Sequence, residues 1–186
     1  MDREKVRKAS FAAMFAAVIS VAAWVAIPTG GLPIVLQNML SVLAGILLGP
    51  FLGAASVAAF VGLAALGIPV LAGGRGGFGI VFASPSTGYL IGYILAAFVA
   101  GLIAGKGRSL LRIGAASFAG HALILASGLA FGLAFYFQGL SQAAKEAGAF
   151  AIYAGGYLLV DGAKALAAAA IGYALKPLFD ERIDAR

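Results

Sequence analysis

Two opposite charges stand close together in a stretch that is otherwise apolar. Asp161 and Lys164 lie in Tyr157-Leu-Leu-Val-Asp-Gly-Ala-Lys164, so a helix would set them on one face at i and i+3. Each would cost about 2.5–3.5 kcal/mol at the centre of a membrane-spanning helix, and such groups usually face a bundle interior and mark a ligand or ion path. Side by side they supply an acceptor and a donor, which suits an amide-like or ureido group. The alternative is a self-neutralising ion pair that only packs its helix. A second candidate is the loop Leu66-Gly-Ile-Pro-Val-Leu-Ala-Gly-Gly-Arg-Gly-Gly-Phe-Gly79. Gly73 and Gly74 allow left-handed dihedrals and close backbone approach, and Arg75 offers a fork for a carboxylate. The loop carries too little polar character for a plain solvent loop and reads as a lid or clamp. The third is Gln37-Asn38, two amides that can hydrogen-bond a ligand or a neighbouring helix.

Other chemistries lack their residues. There is no cysteine, so no thiolate and no Cys metal site. His121 is the single histidine; alone it builds no metal cluster and reads as a hydrogen-bonded packing residue. No Gly-x-Ser-x-Gly elbow and no Gly-Lys-Ser/Thr phosphate loop occurs. One carboxylate within the apolar runs leaves few groups for an enzyme. No cofactor or metal is expected, and any ATP hydrolysis would belong to another chain.

The elements that must hold these residues are set by composition. Of 186 residues, 62% are apolar and only 11% charged, with 27 glycines besides; the mean hydropathy is +1.03. A soluble domain carries about a quarter charged residues, so lipid must be the main solvent. No charge occurs between Ala9 and Gly74. A spanning helix needs roughly 20 apolar residues, and six runs are read: about Ala9–Ile27, Pro33–Leu48, Phe51–Leu66, Gly88–Ala104, Ile113–Phe137 and Phe150–Leu175. They are bounded by Pro28-Thr29-Gly30-Gly31, by Gly49-Pro50 and by Pro177, because Pro and Gly interrupt the helical hydrogen-bond ladder. The second and third runs are short, which suggests a tilted, kinked or partly re-entrant helix. Gly155-Gly156 could break or delay the sixth. Continuous runs argue against a barrel of alternating strands, and the first is longer than a signal-peptide core.

An all-α integral membrane protein with six transmembrane helices follows, as a single membrane domain over residues 1–186. Its net charge of +6 is then a matter of topology rather than of nucleic acid. Ten of the 13 lysines and arginines fall on the N-terminal side, Arg75 and Lys145 on the other, and Lys164 within a span. That asymmetry places both termini in the cytoplasm. Trp24 and Tyr157 read as outer-interface or pocket aromatics. Alanines repeat every four residues in the first run, as Ala9, Ala13 and Ala17 and as Ala12 and Ala16; such stripes let helices approach closely in lipid, within the bundle or against a partner.

Several segments together resemble one family. Pro33-Ile-Val-Leu-Gln-Asn38, Leu43-Ala-Gly-Ile-Leu-Leu-Gly-Pro50, Gly67-Ile-Pro-Val-Leu-Ala-Gly-Gly-Arg-Gly-Gly77, Pro85-Ser-Thr-Gly-Tyr-Leu-Ile-Gly92 and Asp161-Gly-Ala-Lys164 are similar to motifs of the BioY family. These are the biotin-specific substrate-binding (S) components of energy-coupling factor (ECF) transporters. The resemblance runs from about Ala9 to Leu175. It departs at Ser84-Pro-Ser-Thr-Gly-Tyr89, where the family often has Gly-Pro-Thr-Gly-Gly-Tyr. It implies a six-helix S-component bundle in the bacterial plasma or inner membrane, with a biotin pocket near the outer face. It also implies that Asp161 and Lys164 hold the polar parts of biotin under the glycine loop. The candidate binding set is then Asp161, Lys164, Arg75, Gln37, Gly73, Gly74, Thr87 and Tyr89. The alanine stripes would dock on a transmembrane coupling (T) protein that carries ABC-type ATPase subunits. A stand-alone secondary carrier or facilitator for a small organic solute is the competing expectation.

Overall fold

The computed structural model describes residues 3–27, 34–137 and 143–184. It is built from seven helices and one short antiparallel pair among those residues: α1 (Arg3–Ala22), β1 (Ala26–Ile27), β2 (Ile34–Val35), α2 (Gln37–Leu48), α3 (Pro50–Ala65), α4 (Phe78–Phe82), α5 (Thr87–Ala104), α6 (Leu110–Phe137) and α7 (Ala143–Asp184). The expected boundaries Pro28-Thr29-Gly30-Gly31 and Pro33 lie outside the described residues, as do the side chains of Lys145 and Tyr157.

The centre of the bundle is α2. It packs on α1, α3, α5, α6 and α7, and ten of its 12 residues are buried. A helix apolar all round belongs in a core, which is why this one can be short. At 1.5 Å per residue it spans about 18 Å, well under the roughly 30 Å of a bilayer core. Its crossing with α5 is very close. A Cβ on Gly45 would come within 2.7 Å of the Ala97 carbonyl carbon, and closer to the oxygen. Glycine is needed there for space, not for dihedral freedom. The turn into α3 is a one-residue hinge: Gly49 has φ 84° and its N–H donates to Gly45 O at 2.9 Å. Pro50 follows at the first helical position, where its missing N–H costs nothing.

Among the described residues, three helices are long and apolar enough to cross a membrane: α5, the Leu110–Gly132 part of α6 and the Leu158–Ile183 part of α7. The apolar helices α2 and α3 are shorter. The first expected run is shifted. Helix α1 begins at Arg3, with Lys8 paired to Glu4, and ends at Ala22. Residues 26–27 leave it to pair with 34–35, Ala26 opposite Val35 and Ile27 opposite Ile34.

The sixth run is longer than expected at both ends. It passes through Gly155-Gly156 without a break and continues beyond Pro177. Pro177 removes one helical hydrogen bond, but the tail past it is anchored by tertiary contacts. Phe179 packs on Phe11 and Phe15, with ring centroids 5.6 and 5.8 Å away. Lys176, only 2% exposed, pairs with Asp180 at 2.7 Å, and Asp180 also accepts the Gly107 N–H at 2.9 Å. Arg7 donates to Ile183 O at 3.0 Å. The glycine-rich segment contains a helix that its composition did not announce. Gly77 (φ 116°) donates to Ala64 O at 2.7 Å, and α4 starts from that anchor.

The alanine stripes separate. Ala16 is buried and Ala12 half-buried, with its carbonyl accepting the Ser56 hydroxyl of α3 at 2.7 Å. This stripe seals α1 onto its neighbours. Ala9, Ala13 and Ala17 are exposed.

Candidate functional site

A cavity of about 100 Å³ lies where the first turn of α2 meets α5, α6, α7 and the 71–80 segment. One water needs roughly 10–15 Å³ on this measure, so the space admits a small organic group. Its polar wall comes from α2 and α7. Lys164 stands 3.1 Å from Asp161 Oδ1, their side chains 9% and 14% exposed. Asn38 completes the group: its Nδ2 donates to Asp161 Oδ1 at 2.9 Å, and its Oδ1 accepts from Lys164 at 3.3 Å. The Asn38 Oδ1 also accepts the Met39 N–H at 2.9 Å, one of the first N–H groups of α2 that lack an intrahelical partner. Burial makes every unmatched donor or acceptor in this group costly. The pair is therefore held by a third residue and still open to the hollow beside it.

The apolar walls are Leu71 from the loop, Ile80 from α4, Leu90 from α5, and Ile124 and Leu125 from α6. Tyr89 and Tyr93, one helical turn apart on α5, also line it. Tyr93 is 6% exposed. Tyr89 fits because residue 128 of α6 is glycine: a Cβ there would come within 2.5 Å of the Tyr89 ring carbons.

The expected binding residues divide by position. Asp161, Lys164, Arg75, Gln37 and Tyr89 line the cavity. Gln37 is 3% exposed, and its Nε2 donates to Val70 O at 3.1 Å, tying the start of α2 to the loop. Arg75 Nε donates to Ala72 O at 3.0 Å. Its backbone carbonyl accepts from Leu71 N at 2.9 Å. Gly73 and Gly74, with φ 72° and 69°, form the left-handed turn that brings Arg75 back toward Leu71. They shape the loop from outside the lining. Thr87 is also outside it; its hydroxyl accepts the Ser84 N–H at 3.2 Å and secures the start of α5. His121 is buried, with Nδ1 on Ser117 O at 2.9 Å; its Nε2 has no hydrogen-bond partner among the described residues.

Asn38 was legible as a polar residue but not as the partner of Asp161, 123 positions away. Tyr93 and Ser86, which also line the cavity, carried no local signal: one is an aromatic in an apolar helix, the other a serine in a turn.

Residues 1–181 match the model of the BioY family. A biotin transporter BioY of Rhodobacter capsulatus is 50% identical over 99 residues, 52% of each chain, so the match spans about half of that relative. One of Thermotoga maritima is 42% identical over 132 residues, 71% of this chain and 77% of the relative. Among solved structures, an S-component for biotin from an ECF-type ABC transporter is 31% identical with a TM-score of 0.72, covering 95% of this chain and 94% of that one. On this match the chain belongs to the BioY family.

Proposed function

We propose that this chain is the substrate-binding component of an ECF-type transporter, taking biotin from outside and passing it inward with a separate ATPase module. The observation that carries the proposal is the buried Asp161–Lys164–Asn38 group facing a cavity among α2, α5, α6 and α7. Asp161 accepts a ureido N–H, and Lys164 donates to the ureido carbonyl. The thioether side of the bicycle lies against Leu90 and Ile124. Arg75 and the backbone N–H groups of the loop meet the carboxylate end, with Gly73 and Gly74 setting the turn. Gln37, Thr87 and Tyr89 support the mouth. Six membrane crossings are proposed, with α1, α2 and α3 completing the three longer helices and both termini cytoplasmic. The exposed stripe Ala9, Ala13 and Ala17 is the surface offered to the coupling protein.

The test is biotin binding to the purified full chain by titration calorimetry, with Asp161→Asn alongside. A hydrogen bond to a charged group contributes about 1.5–3 kcal/mol, so Asn at this position should weaken biotin roughly 10- to 150-fold. Wild-type affinity in the variant would end this assignment of roles. Failure of the wild type to bind biotin would end the proposal.

A further inference from the structure

The short helix α4 has two faces. Val81 is 1% exposed and Ile80 lines the cavity, so one side is a lid. On the other side Phe78 and Phe82 are 71% and 49% exposed, with ring centroids 4.7 Å apart. A lid washed by water would turn polar groups outward, yet Phe-Gly-Ile-Val-Phe has none. The surroundings match it. Gly77, just before Phe78, is hydrogen-bonded to the end of α3, where Leu66 is 82% exposed. Trp24, also exposed, lies against Gly74 of the same loop. Arg75 is the one charged side chain that the 66–86 segment carries. The basic groups Arg7, Arg108, Arg112 and Lys176 attach instead to the far ends of α5 and α7, at Ile103, Tyr173, Asp180 and Ile183.

Depth follows from length. Helix α5 has 18 residues, about 27 Å, against roughly 30 Å of hydrocarbon. Its first residue, Thr87, therefore stands near the hydrocarbon boundary. Only residues 83–86 separate it from α4, which packs on α5. An apolar, aromatic, charge-poor surface at that level matches the aromatic belt of a bilayer.

We propose that α4 is an interfacial anchor: Phe78 and Phe82 lie in the headgroup–acyl boundary while Ile80 closes the cavity, so lipid holds the lid in place. The anchor rests on the membrane-spanning reading and not on the identity of the transported ligand. The test uses the full chain in phosphatidylcholine vesicles. Trp24 is the only tryptophan, so Trp24→Phe combined with Phe78→Trp, or with Phe82→Trp, moves the fluorophore onto α4. Emission should be blue-shifted and largely lost to lipids brominated near the top of their acyl chains, with little loss to aqueous iodide. The unsubstituted chain should report the same shallow depth from Trp24, a readout independent of any substitution. Strong iodide quenching with indifference to brominated lipid would make α4 a water-exposed lid and overturn the proposal. Shielding from both, varying with protein-to-lipid ratio, would assign the face to a second copy and overturn it equally. Biotin titration of the same samples separates failure of the anchor from failure of the transport reading.

Discussion

Removing one charge from the buried pair should cost more than removing both. At 3.1 Å two unit charges attract by about 5 kcal/mol if the effective dielectric is about 20. Much of that is cancelled by the cost of taking both out of water, so the pair as a whole adds little net stability. Either charge left alone is another matter, with side chains only 9% and 14% exposed. Asp161→Asn leaves the Lys164 ammonium facing only neutral amide oxygens, and Lys164→Met leaves Asp161 with the Asn38 amide alone. Each single variant should lose about 3–5 kcal/mol. At roughly 2–4 °C per kcal/mol for a chain of this size, the unfolding midpoint should fall by roughly 6–20 °C. The double variant removes both charges and should stay within about 2 kcal/mol of the parent. The assay is ligand-free thermal unfolding of the purified chain in detergent, followed by tryptophan emission. Additive losses in the double variant, or single variants as stable as the parent, would refute the reasoning. Biotin binding should be weakened in all three, because the ligand needs both groups even where the fold does not.

Two further outcomes follow from packing. Gly45→Ala forces a methyl group into the Ala97 carbonyl; backbone must shift, and a loss of about 1–3 kcal/mol is expected as a lower unfolding midpoint, whereas a neutral result would contradict the α2–α5 crossing. Phe179→Ala removes the rings' contacts with Phe11 and Phe15 and should cost about 2–3 kcal/mol, discounted from the fully buried value because Phe179 is half-buried. An unchanged midpoint would mean that the helix gains nothing past Pro177.

What the linear order of residues determined was the solvent and the sites of interruption. Long charge-free runs make transfer into lipid favourable wherever they fold, and Gly49-Pro50 breaks a helix for local reasons. For the same reason Asp161 and Lys164 stood out: an ion in an apolar run is expensive in any fold. Tertiary structure decided what hydropathy cannot see. A side chain facing lipid and one facing the core are both apolar, so composition could not show that α2 is wrapped on every side and hence short, or that Ala12 and Ala16 turn inward while Ala9, Ala13 and Ala17 do not. The path beyond Pro177 was hidden because Phe179, Asp180 and Ile183 are held by residues from α1 and the α5–α6 turn, which no local window contains. Asn38 joined Asp161 only when α2 and α7 packed together: a hydrogen bond depends on ångströms between groups, and sequence separation carries no distance.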